Sequence, residues 1–359
     1  MTLELEGITK KIGAQTHIHE TNLKLERDAF NILLGATNAG KSTLIRLMAG
    51  LDRPTKGEVF FDGERVTELS PQKRNIALVH QFFINYPHLT VYENIASPLR
   101  VRKMSRTEID QRVRDSADLL QLGPMLDRRP QELSGGQQQR TALARAIVKE
   151  SRAIFLDEPL ANLDYKLREE LREQLPEILS QRGTVVVYAT SDPTEALLIG
   201  GNTALVHEGS VAQFGRTADI YRSPANLSSA RVFSDPPINL AKIHKTGSKI
   251  VLDQHDWQAS GDVLALADGQ YTIGIRPHHV VPTAPSPPFV RIRDRVDITE
   301  LSGTSSVAHF SMGKRNWVSL AAGTHPYRVG DMHDFYLLPE KCLYFDSAGI
   351  LAAVGTDHG

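Results

Sequence analysis

Residues 35–43 read Gly-Ala-Thr-Asn-Ala-Gly-Lys-Ser-Thr, a spacing of glycine, lysine and hydroxyl groups that suits the binding of phosphate. An apolar run at 31–34 precedes this loop, and a pattern with Leu44, Leu47 and Met48 on one helix face follows it. A loop between a strand and a helix bares backbone N–H groups at the helix start, where they bind phosphate oxygens. The loop residues predicted to contact a nucleotide are Gly35, Asn38, Ala39, Gly40, Lys41, Ser42 and Thr43.

Two carboxylates, Asp157 and Glu158, follow the apolar run 153–156, which reads as a strand buried on both faces. Ligands of an open parallel sheet bind at that end of its strands. We predict that Ser42 and Asp157 hold Mg²⁺ and that Glu158 orients or deprotonates an attacking water. Taken alone, the loop could be a glycine-rich turn and the carboxylates a polar strand end. Their combination favours ATP and Mg²⁺ as cofactors, with Lys41 on the β- and γ-phosphates.

Three further segments give the chain a family resemblance. The run 133–140, Leu-Ser-Gly-Gly-Gln-Gln-Gln-Arg, resembles the signature of the ATP-binding subunits of ABC transporters. Gln81 together with 86–91 matches the Q-loop of that family, and 160–164, Leu-Ala-Asn-Leu-Asp, corresponds to its D-loop. Within the family, the chain looks like the maltose-importer type that serves carbohydrate and polyol uptake. The resemblance extends from residue 1 to about residue 350.

The resemblance implies that ATP is enclosed between two subunits, each contributing half of every site. The start of the helix after Leu133 would offer phosphate a second helix N-terminus, because an apolar stripe follows it. In the family this element closes on ATP held by the partner's phosphate loop, and Gln81 contacts Mg²⁺ and takes part in catalysis. The residues implied to reach the partner's nucleotide are Ser134, Gly135, Gly136, Gln137 and Asp164.

The same resemblance implies a set of partners. The region Phe83–Thr90 would receive a cytoplasmic coupling helix of an integral-membrane permease, with Phe83, Tyr86 and Leu89 as apolar contacts. A periplasmic or lipoprotein solute-binding protein would take part indirectly. The chain would then be a peripheral protein on the cytoplasmic face of the inner membrane.

Ser191 departs from the family, which usually has a histidine at this position, before Asp192. Serine is shorter, carries no positive charge and cannot span the same gap to the γ-phosphate. The residues implied in catalysis are therefore Glu158, Gln81 and an incomplete switch at Ser191. We predict slow hydrolysis at this site, and we hypothesise that the working pair contains a second, different ATP-binding subunit.

Two milder departures concern the nucleotide contacts. The family's adenine-stacking aromatic is Ile12 here, which offers apolar cover without a π-face, so affinity for the base should fall modestly. The central glycine of the loop is Asn38, the non-glycine residue that best tolerates left-handed backbone angles. We therefore expect the loop geometry to survive.

Sequence patterns and resemblance together predict an α/β fold with two domains, at 1–233 and 234–359. The first would be a P-loop ABC ATPase domain with a RecA-like core, an antiparallel β subdomain and a helical subdomain at about 90–150, where Ser105 and Glu108 form a capping box. The second contains short β segments separated by turns, which indicate an all-β, OB-like barrel. Such a regulatory domain could stabilise a dimer or bind an effector, and its fold does not decide between them.

Composition excludes several other classes. The chain has 359 residues with 41 basic and 42 acidic side chains, so its net charge of −1 gives no electrostatic case for nucleic acid as a partner. Its single cysteine, Cys342, excludes an internal disulfide. We find no signal-like start and no apolar run of about 18 residues, so membrane association must come through a partner.

Two alternatives stay open. A soluble ABC ATPase acting on nucleic acid or ribosomes usually carries two cassettes or a long coiled-coil insertion, neither of which is present. A catalytically weak subunit with a structural or regulatory role is compatible with Ser191. A basic cluster could form a solvated face or a docking surface for the membrane subunit; it comprises Arg100, Arg102, Lys103, Arg106, Arg112 and Arg114.

Overall fold

The computed structural model describes residues 2–27, 29–161, 163–180 and 183–355. Its contacts divide the chain into two compact units, one ending at Ala218 and the other beginning at Asp219. Within the described ranges, no helix has both the length and the apolar character needed to cross a membrane.

The first unit is built on a six-stranded sheet of order β10-β9-β3-β8-β7-β6, in which only β10 runs antiparallel to its neighbour. Its central strands are buried along their whole length, as apolar runs in a parallel sheet should be. The strands of this unit are β1 Thr2–Ile12, β2 Gln15–Glu26, β3 Phe30–Leu34, β4 Lys56–Phe61, β5 Glu64–Arg65, β6 Ile76–Val79, β7 Ala153–Asp157, β8 Val185–Thr190, β9 Asn202–His207 and β10 Ser210–Arg216.

A second, antiparallel sheet of order β2-β1-β4-β5 shares a core with the first. Helix α1 supplies part of that core, because Leu44, Leu47 and Met48 are fully buried on the face that the sequence predicts. The helices of this unit are α1 Lys41–Ala49, α2 Pro71–Arg74, α3 Val91–Val101, α4 Arg106–Leu119, α5 Gly135–Val148, α6 Tyr165–Ser180 and α7 Pro193–Ile199, with 3₁₀ turns at Gly123–Met125 and Pro130–Glu132.

The helical region between β6 and β7 begins with capped helices. Ser105 Oγ accepts a hydrogen bond from the Glu108 backbone N–H at 3.3 Å, and Glu108 Oε2 accepts from Ser105 N at the same distance, which confirms the predicted capping box. Thr90 and Glu93 form an equivalent box at the start of α3. Since these caps satisfy the orphan N–H groups, α3 and α4 are free to pack their apolar faces against α5.

The second unit is all-β. Two antiparallel sheets, of order β13-β12-β11-β14-β20-β21 and β15-β19-β16-β17-β18, close around one apolar core that includes Trp317, Phe310 and Phe335. This barrel-like arrangement is the OB-like fold that the sequence predicts. Its strands are β11 Asn239–Thr246, β12 Lys249–Leu252, β13 His255–Gln258, β14 Gly269–Ile275, β15 Val280–Val281, β16 Val290–Leu301, β17 Ser305–Met312, β18 Arg315–Ala322, β19 Met332–Leu337, β20 Leu343–Phe345 and β21 Leu351–Val354, with 3₁₀ turns at Gly261–Ala265, Pro277–His279 and Pro339–Lys341.

Two short helices lie near the division between the units: α8, Thr217–Arg222, and α9, Leu227–Val232. Helix α9 packs with the second unit, because its Ala230 joins an apolar cluster with Leu343 and Phe345. By contacts the division therefore falls after Ala218, whereas the sequence places the domain boundary near residue 233.

Arg74 caps the C-terminal end of α1 by donating hydrogen bonds to its last carbonyls. Its fully buried guanidinium donates to the carbonyls of Leu47 and Met48 at 3.0 and 2.7 Å, and to those of Thr67 and Leu69 at 2.9 and 3.0 Å. Burial lowers the pKa of Arg74 to about 10, so the group stays protonated at neutral pH. One side chain thus satisfies four carbonyls around the helix that carries Lys41.

We expect Arg74→Met to lower the free energy of unfolding by about 3–5 kcal/mol, because four buried carbonyls lose their donor. Urea denaturation followed by circular dichroism measures the change. Arg65→Met is the matched control, since Arg65 is exposed and pairs with Glu58 at the surface, where solvent screens the ion pair and its loss should change stability little. Equal losses in the two variants would contradict this account of Arg74.

Candidate nucleotide-binding site

The predicted phosphate loop lies between β3 and α1, in a conformation that its residue types permit. Gly40 precedes α1 with φ +113°, and Asn38 has φ +66°, in the left-handed region that asparagine tolerates. A Cβ at Gly35 would lie 2.2 Å from the Val206 carbonyl oxygen, so only glycine fits there. The loop therefore keeps a shape that leaves the start of α1 open to a ligand.

Lys41 is the central cation of the loop and is buried. Its Nζ donates to the carbonyls of Gly35 and Ala36 at 2.7 and 3.0 Å and lies 3.5 Å from Glu158 Oε1. Burial lowers the pKa of Lys41, while the nearby carboxylate of Glu158 acts in the opposite direction. An ammonium held by two carbonyls can exchange them for phosphate oxygens, which are stronger acceptors.

Ser42, in the first turn of α1, contacts Asp157 at the end of β7, with Ser42 Oγ donating to Asp157 Oδ1 at 3.1 Å. Asp157 is buried at the end of β7, and burial raises its pKa, while the Ser42 hydrogen bond opposes that rise. A carboxylate and a hydroxyl this close are hard oxygen donors of the kind that Mg²⁺ prefers, so the pair fits the predicted ion.

Glu158 is directed towards the cavity by an unusual backbone. Its φ is +49°, and its N–H donates to the Ala189 carbonyl at 3.0 Å, which ties it to the neighbouring strand β8. Gln81 Nε2 donates to Glu158 Oε2 at 3.3 Å. A positive φ in a non-glycine residue persists only where its surroundings impose it, and such residues cluster at functional sites.

A cavity of about 620 Å³ joins Lys41, Ser42, Gln81 and Glu158, whereas buried Asp157 lies behind Ser42 and does not line it. Six lining residues were not predicted as contacts: Thr37 in the phosphate loop itself, and Gln15, Thr16, His17, Glu208 and Gly209. The complete lining is Gln15, Thr16, His17, Thr37, Asn38, Gly40, Lys41, Ser42, Thr43, Gln81, Glu158, Glu208 and Gly209.

Apart from Thr37, the unpredicted residues come from two hairpins, β1–β2 and β9–β10, that pack against the loop. The Gly209 N–H donates to the Ala39 carbonyl at 2.8 Å, and a Cβ at Gly209 would lie 2.4 Å from the His17 carbonyl oxygen. The signal available in the sequence was the Glu-Gly pair at 208–209, which is typical of a turn between two β segments. Ile12 pairs with Gln15 on the neighbouring strand but is 56% exposed and does not line the cavity. Its role towards the base stays a prediction.

The signature residues lie outside the cavity. Ser134 caps α5: its Oγ accepts from the Gln137 N–H at 3.3 Å, and Gln137 Oε1 accepts from Ser134 N at 3.0 Å. Ser134 and Gly135 are exposed, while Gly136 and Gln137 are half-buried. The start of α5 therefore presents its backbone to the surroundings of the chain and contributes nothing to this chain's own cavity.

Asp164 and Ser191 are also exposed and do not line the cavity. Asp164 Oδ1 accepts from the Leu167 N–H at 3.0 Å at the start of α6; Asn162 of the predicted D-loop lies outside the described residues. Ser191 follows Thr190 at the end of β8, next to the start of the phosphate loop, where Gly35 N donates to the Thr190 carbonyl at 3.3 Å.

Comparisons with known proteins agree with this geometry. Residues 18–161 match the ABC transporter family. The chain is 37% identical over 315 residues to an sn-glycerol-3-phosphate import ATP-binding protein of Rhizobium etli, with 87% of each chain covered. It is 35% identical over 364 residues to the trehalose/maltose import ATP-binding protein of Thermococcus litoralis, covering 96% of this chain and 97% of the relative.

Among solved structures, the chain is similar to the dimeric ATP-binding cassette MJ0796 in a post-hydrolysis state bound to ADP and Pi. The TM-score is 0.55 at 30% identity, and the match covers 60% of this chain and 98% of the cassette. The curated relatives instead extend over nearly the whole length, including the β-rich second unit. From its motifs, its site geometry and these relatives, the chain belongs to the ABC transporter family, as one of its ATP-hydrolysing ATP-binding subunits.

Proposed function

We propose that this chain binds Mg·ATP in the cavity described above and hydrolyses it to drive import of a carbohydrate, polyol or glycerol-phosphate solute. The observation that carries the proposal is the convergence of Lys41, Ser42 and Glu158 on one cavity. The import ATP-binding proteins of Rhizobium etli and Thermococcus litoralis support the solute class, because the chain covers most of their length.

The proposed contacts follow from the geometry. The backbone N–H groups at the start of α1 bind the phosphates, while Lys41 exchanges the carbonyls of Gly35 and Ala36 for β- and γ-phosphate oxygens. Ser42, Asp157 and Gln81 would hold Mg²⁺, which neutralises charge on the phosphates when it is bound.

Glu158 is proposed to position the attacking water. Its carboxylate lines the cavity together with Lys41, and Gln81 holds it by a hydrogen bond. A carboxylate placed there can orient the water and accept its proton as the bond to the γ-phosphorus forms.

Exposure of the signature supports a two-subunit arrangement. Ser134 and Gly135 lie at an exposed helix start and do not line this chain's own cavity. We propose that they close on ATP held by a second ATP-binding subunit. Because Ser191 stands where the family has a histidine, we further propose that this second subunit is a different chain with a complete site. The dimeric state of the MJ0796 cassette supports pairing and leaves the identity of the second chain to experiment.

A surface for the permease is proposed around the segment that follows Gln81. Phe82 is 77% exposed and Ile84 63%, and Tyr86 borders a groove of about 530 Å³ with Pro98 and Val101. The structure alters one expectation: Phe83 and Leu89 are half-buried, and the exposed apolar side chains are those of Phe82 and Ile84, on either side of Phe83. The occupant we propose is a cytoplasmic helix of the permease, which would hold the chain on the inner face of the membrane.

The basic cluster gives that surface less positive charge than its six cationic residues indicate, because several of them form ion pairs within the unit. Arg102 and Arg112 both pair with Glu150, at 2.8 and 2.7 Å, and Arg114 pairs with Asp110 at 2.9 Å. Three of the six cations are thus ion-paired within the unit, to two carboxylates, which agrees with a solvated face.

Transport by the assembled system tests the proposal. The chain is reconstituted in proteoliposomes with its permease and solute-binding protein, and uptake of labelled sn-glycerol 3-phosphate, glycerol and maltose is measured with ATP inside. We expect ATP-dependent uptake of one of these solutes. Lys41→Met should abolish that uptake, because the buried ammonium that binds the phosphates is lost. Hydrolysis that nucleic acid stimulates, without uptake of any of the three, would instead identify a soluble ATPase.

A catalytically weak subunit is the second candidate, and Ser191 is the observation that favours it. In that case Glu158→Gln in this chain should leave transport by the assembled complex nearly unchanged, while the equivalent change in the partner subunit should abolish it. The all-β second unit is proposed to stabilise the dimer or to bind an effector.

A further inference from the structure

The segment that follows Gln81 is attached to helix α5 at two points. Asn85 Nδ2 donates to the Gln138 carbonyl at 2.8 Å, and the Arg145 guanidinium donates to the Ile84 carbonyl. Arg145 also lies over the Tyr86 ring, with its Cζ 4.9 Å from the ring centroid. Gln138 and Arg145 are two helical turns apart, or about 10 Å along the axis, so two separate sites on the helix hold the adjacent residues Ile84 and Asn85.

Arg145 connects the segment to α3 as well. Its Nη1 lies 3.5 Å from Asn94 Oδ1, and fully buried Asn94 holds the backbone of Tyr86 from both sides: Oδ1 accepts from Tyr86 N at 2.8 Å, and Nδ2 donates to the Tyr86 carbonyl at 3.1 Å. Burial of the guanidinium lowers the pKa of Arg145. The half-buried Arg145 side chain thus connects α5 to α3 and to the 84–86 segment.

Helix α5 connects the Arg145 contacts to the signature and to the nucleotide-binding site. Its first residues follow Ser134, whose side chain caps the helix, and Gln139 donates to the carbonyl of Pro159, the residue after Glu158. At the other end of the segment, Gln81 contacts Glu158 directly. A displacement of the segment therefore acts on both the exposed signature and the catalytic carboxylate.

We propose that Arg145 is a positioning residue that holds the 82–86 segment against helix α5, so that the two move together. Because α5 holds the segment through both Gln138 and Arg145, a load on Phe82, Ile84 and Tyr86 is passed to the helix and reorients Ser134 at its start. The inference rests on the proposed function for the origin of that load, a permease helix on the exposed side chains. The attachment itself belongs to the isolated chain and can be measured there.

Hydrogen exchange in the full-length isolated chain tests the attachment. Arg145→Met should raise amide exchange about 10-fold or more in 82–94, with no change in the phosphate-loop helix α1. Arg145→Lys should be intermediate, because it keeps the charge over Tyr86 and loses the planar fork that reaches Ile84 and Asn94 together.

Arg140→Met is the matched control. Arg140 also lies on α5 and donates to backbone carbonyls, those of Leu120 and Gln121, but it does not contact the 82–86 segment. Its loss should leave exchange in 82–94 at the parent rate. Parent-like exchange in Arg145→Met, or the same increase in both variants, would overturn the proposal.

The assembled transporter gives the functional readout. In Arg145→Met we expect solute-stimulated hydrolysis to fall about 10-fold, while affinity of the isolated chain for Mg·ATP stays within about 2-fold of the parent. A parallel loss of Mg·ATP affinity would indicate general damage and overturn the positioning role, as would full stimulation in the variant. If the parent chain itself shows no solute-stimulated hydrolysis, the proposed function fails, and the exchange measurement alone decides the role of Arg145.

Discussion

Glu158→Gln is expected to lower the rate of ATP hydrolysis by about 100-fold or more while ATP binding is retained. The carboxylate lines the cavity beside Lys41, with its Oε1 3.5 Å from the ammonium, so it is placed to orient a water and accept its proton. A correctly placed general base contributes roughly 10²–10⁴-fold to a rate, and an amide cannot replace it as a proton acceptor. Binding should persist because the amide carries no charge to repel the γ-phosphate.

Single-turnover hydrolysis and equilibrium binding of labelled ATP measure the two effects separately. Glu208→Gln is the matched control, because it makes the same change of side chain within the same cavity, on the hairpin turn next to Gly209. We expect this control to hydrolyse ATP within a few-fold of the parent. A Glu158→Gln variant that hydrolyses ATP as fast as the control would refute the role given to Glu158.

Ser191→His is expected to raise the rate of hydrolysis by about 10-fold. The end of β8 lies between the phosphate loop and the end of β7: Leu34 is opposite Thr190 in the sheet register, and Ala189 is opposite Asp157. A side chain at position 191 therefore starts next to both phosphate-binding and carboxylate elements. An imidazole is longer than a hydroxymethyl group and can donate a hydrogen bond or carry a proton there.

Thr194→His controls for the mere addition of a histidine, since Thr194 is exposed three residues further along, in the first turn of α7. Steady-state hydrolysis by the purified chain, measured with each variant, compares the two positions. Acceleration by Ser191→His alone would support an incomplete site and hence a different, complete partner subunit. If the parent chain already hydrolyses ATP at the rate of the assembled transporter, the asymmetric pairing is wrong.

Local patterns in the sequence were sufficient for much of the fold. The helix after the phosphate loop, the buried strand before Asp157 and the capping box at Ser105 are confirmed, because each depends on residues only a few positions apart. The left-handed angle of Asn38 was predictable for the same reason. The β segments of the second unit were likewise found where alternation and turns indicate them.

Tertiary structure decided the rest, since it depends on contacts between residues far apart in sequence. Val79 pairs with Leu156 in parallel register, and this pairing places Gln81 beside Glu158 at the sheet edge. The exposure of Phe82 in place of Phe83 depends on backbone angles and on packing against α5, which no periodic pattern encodes.

The residue types and their local spacing were enough to identify the chemistry of this protein, because phosphate and magnesium chemistry requires particular side chains a few positions apart. Which of those side chains share a cavity depends on the packing of distant segments. That packing places Lys41, Gln81 and Glu158 together and leaves Ser134 exposed outside the cavity. Helix and strand periods record burial along one segment, whereas strand register and helix packing fix distances between segments.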